Sequence, residues 1–512
     1  MRGSNDTPAV LVDKRLLPER FLIVSNRLPY QINIENNRVI YERGVGGLVT
    51  ALDPILRLTG GTWIGWSGSY DPVPEKILVD EDVDQERGYH LRPLNLTRKE
   101  VEEFYLGYSN KCLWPLFHYF QEYCEFNRDH WKTYKEVNRK FAEAIIAEYR
   151  PGDLIWVHDY HLMLVPGMVR EQLPDARIGF FLHIPFPSDE IFLLEPHAQE
   201  LLAGLLGADL IGFHVDAYAY SFINSVAMLT HHRFSRGRME ISVDGRLVKA
   251  GSYPISIDFD FFASLATRKE IQAKAKELRD YYNAEIIAIG VDRLDYSKGI
   301  RERLQAIEIM LDRFPELRGK FTFIQISAPS RTKVQAYQEM REKIEGMVGR
   351  INGRFGGEGC LPVDYRYESY SQEDLVAYYL ASDLALVTPL RDGMNLVAKE
   401  YVAAQLSSQG MLVLSRFTGA FHELGDSVIV NPYDPETMAE RIHRALTIPA
   451  DEKRMRMERL REVVRRNDIY WWLERYLRDQ LARRSMSTSL PESLEDRVRA
   501  LGRARHGKSV SH

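Results

Sequence analysis

Cysteine is nearly absent: Cys112, Cys124 and Cys360 are the only three, widely spaced and with no CxxC pair. Such spacing excludes a disulfide framework and a zinc knuckle, and it fits a reducing compartment. No apolar run reaches the length of a membrane helix, and the opening stretch MRGSNDTPAVLVDKRLLPER lacks the apolar core of a signal peptide. A cytoplasmic location without a membrane partner is therefore expected. Charge of one sign is also lacking, because a net charge of −5 gives no argument for nucleic acid as a partner. What is present is ordinary globular composition, 45% hydrophobic and 27% charged, over 512 residues. That length exceeds what a single core usually holds, so two domains are expected.

Strand-length apolar runs recur along the chain, separated by helical patterns. Phe21 to Ser25, Trp63 to Trp66, Leu154 to Val157, Ile178 to Leu182 and Leu210 to Phe213 read as buried strands in the first half. Lys249 to Phe262 reads as a last strand leading into a crossover, followed by a charged helix from about Ala263 to Tyr282. In the second half Ile286 to Val291, Phe321 to Ile326, Leu384 to Val387, Met411 to Ser415 and Ser427 to Val430 repeat the pattern. Strands alternating with helices predict an α/β chain with two doubly wound, Rossmann-like parallel sheets. The charged segment Asp451 to Arg466 and the aromatic one from Ile469 to Leu481 both read as helices, and composition turns polar after about Arg484.

Ligands of open α/β sheets sit beyond the carboxyl ends of the strands, so the residues there carry the functional question. In the second half these are Arg293 and Lys298 (VDRLDYSKG), Arg331, and Asp392 with Glu400. The stretch Val387 to Gln405 combines a buried strand, a polar turn and a helix that Asn395 can cap. On that helix Leu396, Val397, Glu400, Ala403 and Ala404 share a face, which places a carboxylate in an apolar stripe. A helix start beside a glycine turn offers free N–H groups to an anion, and converging cations suit a phosphate. Each cation taken singly reads more simply as a surface salt bridge, and the helix equally well as an ordinary βα unit.

In the first half the strand-end residues are Arg27, His158, Asp159, His183 and His214. His158 and His161 form an H-x-x-H pair, yet they lie in a loop without a third ligand, so no metal is expected. Gly44, Gly46 and Gly47 precede a helical pattern and read either as a tight turn or as close approach to a ligand. The aromatic run Phe104 to Tyr123 reads mainly as core.

Taken together and in order, SNRLP, GVGGLVTAL, WIGWSG, LWPLFHY, WVHDYHLMLVP, GFFLHIPFPSDEIF, LLGADLIGFH, VDRLDYSKGI and TPLRDGMNLVAKEYVAAQ resemble the trehalose-6-phosphate synthase family, from about Phe21 to Leu481. The family comprises retaining glycosyltransferases of GT-B architecture, two Rossmann-like domains facing a cleft, that move glucose from UDP-glucose to glucose 6-phosphate without a cofactor or metal. The resemblance implies that Arg293 and Lys298 hold the donor diphosphate and Glu400 the ribose. It implies that Asp392 and the backbone of Gly393, Met394, Asn395, Leu396 and Val397 hold donor glucose and phosphate. Asp159 and His183 would contact the transferred glucose, and Gly47 would lie in a loop over the donor. Arg27, Trp66, Tyr105, Trp114, Asp159 and Arg331 would form the acceptor pocket, and Tyr370 would lie on the donor side, near the uracil. Asp159, His183, Arg293, Lys298 and Asp392 would thus carry catalysis, by front-face substitution with the leaving phosphate taking the acceptor proton.

The expected layout is an N-terminal arm over 1–19, an acceptor domain over 20–262 and a nucleotide-sugar domain over 263–466. A helix over 467–484 would cross back to the N-terminal domain, ahead of a mobile tail over 485–512. Departures from the family pattern lie at the arm, at His231 to Leu247 and at SYPISIDFDFF. A different phosphorylated acceptor such as glycerol 3-phosphate, a different donor base, a sensor role and homo-oligomerisation all stay open at this level.

Overall fold

Strands buried on both faces must be apolar throughout, and these runs form the centre of both sheets. The computed structural model describes residues 12–35, 38–43, 47–70, 88–330, 335–357, 360–407 and 409–482. Gly44, Gly46, Arg331, the beginning of the expected arm and the expected tail lie outside them. Two compact units are present: Lys14–Arg43 with Thr59–Tyr253 and the chain from Arg475, and Pro254–Glu474 with residues 47–58. The boundary expected at 262/263 falls inside a helix, Phe259–Thr267. The single charged helix expected from Ala263 to Tyr282 is two helices, Phe259–Thr267 and Lys269–Tyr282, parted where Arg268 takes extended backbone.

The first unit contains β1 (Phe21–Arg27), β2 (Tyr30–Glu35), β3 (Arg38–Arg43), β4 (Thr62–Trp66), β5 (His90–Leu94), β6 (Leu154–His158), β7 (Arg177–Phe181), β8 (Leu210–Phe213), β9 (Arg233–Ser235), β10 (Glu240–Val243) and β11 (Arg246–Ser252). Nine of them form a sheet in the order β5-β4-β1-β6-β7-β8-β11-β10-β9, while β2 and β3 pair separately. From β5 to β11 every pairing is parallel, and β10 and β9 extend the edge antiparallel. The sequence patterns did not reveal β9 and β10, which are short and rich in polar residues.

The second unit contains β12 (Ile286–Arg293), β13 (Phe321–Ala328), β14 (Val363–Arg366), β15 (Leu384–Val387), β16 (Met411–Ser415) and β17 (Val428–Val430), in the order β14-β13-β12-β15-β16-β17. All five pairings are parallel. Strand order therefore reverses between β12 and β15 here and between β1 and β6 in the first unit, which places a topological switch point in each. Its core packs Leu304, Ile307 and Met310 of helix Ile300–Arg313 against Ala288, Phe323, Leu384 and Val413 of the sheet.

The helix Ile469–Ala482 contributes its first residues to the second unit and its last to the first. Its Tyr476 stacks on Trp156 at 4.5 Å and donates to the carbonyls of Phe180 and Leu210, both at 3.3 Å. Glycine is required beneath it, because a Cβ on Gly179 would come within 2.3 Å of the Tyr476 hydroxyl. No helix among the described residues is long and apolar enough to cross a membrane.

Candidate active site

At the end of β12 the chain turns through LDYSKG, and the turn is fixed from within. Asp295 is fully buried, accepting from the backbone and hydroxyl of Ser297 and from the Tyr337 hydroxyl at 2.8 Å. Gly299 sits at φ +64, and a Cβ there would meet the Thr388 carbonyl at 2.5 Å. Leu390 N donates to the Ser297 carbonyl at 2.8 Å, so the loops after β12 and β15 are laced together. Lys298 thereby reaches Asp392, with Nζ 2.6 Å from Oδ2. The ammonium has three N–H donors and spends one of them here, leaving two for a ligand.

Arg303, unnoticed in the sequence, is as fully buried as Asp295. Its guanidinium is fully buried and donates to Asp292 at 2.7 Å, Gln325 at 2.8 Å, Thr388 at 2.9 Å and the Lys298 carbonyl at 3.3 Å. One side chain thus gathers the ends of β12, β13 and β15 under the Lys298 loop. Arg293 closes β12 and is exposed.

Asn395 was expected to cap the helix Leu396–Ala404, and its side chain makes no capping bond. It donates instead to Asp392 Oδ2 at 3.1 Å, while Gly393 N donates to Oδ1 at 2.9 Å. Asn395 holds φ +68, a strained conformation for a side-chain-bearing residue. The helix start keeps uncapped N–H groups as a result, beside Lys298 and Asp392. Met394 is buried, its carbonyl accepting from Ala420 N at 3.1 Å and from the Thr418 hydroxyl.

The expected apolar face of this helix also needs correction. Leu396, Val397 and Glu400 are half-buried, while Ala398, Lys399 and the run from Tyr401 to Ala404 are buried. The charge inside the core is Lys399, whose ammonium contacts Glu423 at 2.6 Å and the Ile255 carbonyl at 2.9 Å. Glu400 accepts from the Tyr379 hydroxyl at 3.0 Å, and burial pushes its carboxyl up to about 7 despite that bond. Tyr370 lies after the edge strand β14, its hydroxyl accepting from Arg366 at 3.0 Å and donating to Glu368, and its ring 5.3 Å from Tyr378. It therefore belongs to a cluster at the sheet edge, apart from the Lys298–Asp392 pair at the switch point. Gly47 opens the helix Gly47–Thr59 and is grouped with this unit.

In the first unit Asp159 follows β6 at φ 76, ψ 165. The strain is held by hydrogen bonds: its N donates to the Phe181 carbonyl at 2.8 Å, and Oδ1 accepts from Tyr160 N at 3.0 Å and His183 N at 3.3 Å. His183 Nε2 lies 3.0 Å from Nδ1 of His158, and His214 Nε2 donates to the His183 carbonyl at 3.1 Å. Burial holds His158 down to about 3 and His183 well below the usual imidazole range, so both are neutral at pH 7. Arg27 ends β1 with its guanidinium 4.8 Å above the Trp66 ring and 5.3 Å above that of Tyr105, a cation held by two aromatic faces. Tyr105 in turn stacks on His161 at 5.7 Å. Trp114 is buried against His118 at 4.1 Å and at 5.7 Å from Tyr160, the residue that follows Asp159. The H-x-x-H pair is thus divided, His158 turned to His183 and His161 to Tyr105. Among the described residues no group of three His, Cys, Asp or Glu could hold a metal.

Geometry thus joins Lys298, Asp392 and Asn395 in one unit, and Asp159 with His183 and Arg27 with Trp66 and Tyr105 in the other. The glycosyltransferase family 20 model matches residues 19–482. A trehalose-6-phosphate synthase from Mycobacterium avium is 42% identical over 477 residues, covering 90% of this chain and 95% of that protein. A bifunctional trehalose-6-phosphate synthase/phosphatase from Thermoproteus tenax is 40% identical over 93% of this chain, which spans only 65% of that protein's length. Among solved structures, an alpha,alpha-trehalose-phosphate synthase (UDP-forming) from Burkholderia xenovorans in complex with glucose-6-phosphate superposes with a TM-score of 0.81 at 35% identity, covering 90% of this chain and all of that one. A structure from E. coli bound with UDP-2-fluoro glucose gives 0.80 at 36% identity, covering 90% and 98%. Matched along nearly its whole described length in both sequence and fold, the chain belongs to glycosyltransferase family 20.

Proposed function

We propose that the chain is a UDP-forming trehalose-6-phosphate synthase, transferring glucose from UDP-glucose to glucose 6-phosphate with retention. Beyond family membership, one observation carries the reading: the Lys298–Asp392 pair beside the uncapped start of helix Leu396–Ala404, at the switch point of the second sheet. That arrangement supplies cationic and N–H donors where a diphosphate binds and a carboxylate where a sugar offers hydroxyls. Arg293 and Lys298 stabilise the departing diphosphate, an effect of about 3 kcal/mol per donor in comparable sites. Asp392 and the backbone from Gly393 to Val397 hold donor glucose and phosphate, Glu400 takes the ribose, and Tyr370 stands near the base.

Asp159 and His183 contact the transferred glucose, and Gly47 lies over the donor. Arg27, Trp66, Tyr105 and Trp114 hold the acceptor, with Arg331 as a second cation for its phosphate. Double displacement requires a carboxylate close beneath the anomeric carbon. Asp392 is already committed to Lys298, Gly393 and Asn395, and Asp159 to two backbone amides, which favours front-face substitution. The leaving phosphate then accepts the proton of the attacking hydroxyl. Cys112, Cys124 and Cys360 are all free thiols, in keeping with a reducing, cytoplasmic setting.

The test is nucleotide release from UDP-, ADP- and GDP-glucose, each offered glucose 6-phosphate or glycerol 3-phosphate. Release with UDP-glucose and glucose 6-phosphate, giving an α,α-linked product, is expected. Release only with glycerol 3-phosphate, or with neither acceptor, would overturn the assignment.

A further inference from the structure

Three consecutive parallel strands, β6, β7 and β8, each present a histidine just beyond or at their carboxyl end: His158, His183 and His214. Only His183 has a place in the proposed reaction. His158 is fully buried, and its Nδ1 faces Nε2 of His183 at 3.0 Å. Two neutral imidazoles at that distance share one proton, and there are two ways to place it. With the proton on His183 Nε2, the proton of His158 must sit on its own Nε2. That nitrogen is buried and has no hydrogen-bond partner among the described residues. A buried N–H without an acceptor is among the rarest features of folded proteins, rarer than an unused acceptor lone pair. With the proton on His158 Nδ1, the orphan is only a lone pair, and His183 must carry its proton on Nδ1.

We infer that His158 is a positioning residue: it donates from Nδ1 to Nε2 of His183 and so fixes His183 as the Nδ1–H tautomer, which presents a hydrogen-bond donor to an oxygen of the transferred sugar. The rest of the ring's setting is consistent with a fixed orientation. His183 N is tied to Asp159 Oδ1, and its carbonyl accepts from His214 Nε2. The His158 ring packs 4.7 Å from that of Trp156, its neighbour on the same face of β6. As a donor, His183 satisfies a sugar oxygen that is itself accepting, and it excludes the arrangement in which a bare imidazole nitrogen faces that oxygen. The functional half of this inference rests on the proposed role of His183, whereas the tautomer does not.

Two measurements keep those apart. Nitrogen-15 spectra of the full-length, histidine-labelled protein should give His183 a protonated, pyrrole-like Nδ1 and a bare, pyridine-like Nε2. The reverse pattern would overturn the tautomer whatever the activity. For function, His158→Asn retains an amide donor near the position of Nδ1, whereas His158→Leu has similar bulk and no donor. Both remove the imidazole packing on Trp156, so a purely structural role predicts that they behave alike. The inference expects His158→Asn to keep kcat within a few-fold of the parent. His158→Leu should lose about tenfold or more in kcat with little change in acceptor KM. Equal kcat in the two variants would overturn the positioning role. An inactive parent protein would instead count against the proposed reaction and leave the spectra as the deciding result.

Discussion

At the end of β6, the first unit places neutral imidazoles and one strained aspartate, and its one cation at β1, Arg27, lies on aromatic faces. At the end of β12, the second unit places charge against charge: Arg303 with Asp292, Lys298 with Asp392 and, one face of a helix away, Lys399 with Glu423. The two sheets share their strand order around the switch point, so topology is common to both and chemistry is not. The contrast fits what each would hold. Sugar hydroxyls need oriented neutral donors and acceptors, whereas a diphosphate needs cations already fixed in place. Charge so deep in the second unit is tolerated because every member is paired and hydrogen-bonded.

If paired charge organises the second unit, breaking one pair should be severe. Lys399→Met leaves the half-buried Glu423 carboxylate without its cation, with only the Asn467 amide as partner among the described residues, and should lower unfolding free energy by about 3 kcal/mol in urea titrations. Replacing both partners, as Lys399→Met with Glu423→Leu, should recover most of that loss. A single variant as stable as the parent would remove this pair from the comparison. Next in size, Arg293→Ala should reduce kcat by roughly 100-fold, about 3 kcal/mol, with a smaller change in UDP-glucose KM. Near-normal turnover would show that charge at the end of β12 serves the fold rather than the leaving group.

Glu400 sharpens the comparison through pH. Its carboxyl is raised to about 7 by burial, well above an unfolded value near 4.5. Between those values the folded chain binds the proton that the unfolded chain has released. Glu400 thus makes stability fall as pH rises from about 4.5 to 7, with no further change above. Glu400→Gln should remove that portion of the slope. UDP affinity should also rise between pH 6 and 8 more steeply in the parent than in Glu400→Gln, because in the proposed role the ionised carboxylate would accept from ribose hydroxyls. Parallel titrations would detach Glu400 from the ribose. The smallest effect is expected in the first unit, where Tyr476→Phe gives up two long hydrogen bonds and should cost only about 1 kcal/mol in thermal or urea unfolding.

Legibility followed the same divide. The central strands were readable because a strand buried on both faces has no choice but to be apolar. The edge strand β14, with sequence VDYR, escaped because one side of it faces no neighbour and tolerates polar residues. Among site residues, those joined by one loop were visible as a group: Asp392, Gly393 and Asn395 lie within a four-residue reach, and the structure bonds them together. Arg303, and the contact of His158 with His183, were not, since an arginine in RERLQAI or a histidine ending a strand looks the same whether buried or solvated.

Sequence alone therefore determined the two alternating βα patterns, the absence of a disulfide framework and which polar residues stand at the strand ends, because hydrophobic period and residue type are local properties. Only the tertiary structure decided that Lys399 rather than Glu400 is the charge in the core, that Asn395 turns from its helix to Asp392, and that His158 meets His183. The first and last of those depend on a partner brought from a different strand or loop, and a buried polar group is defined by the partner that compensates its lost water.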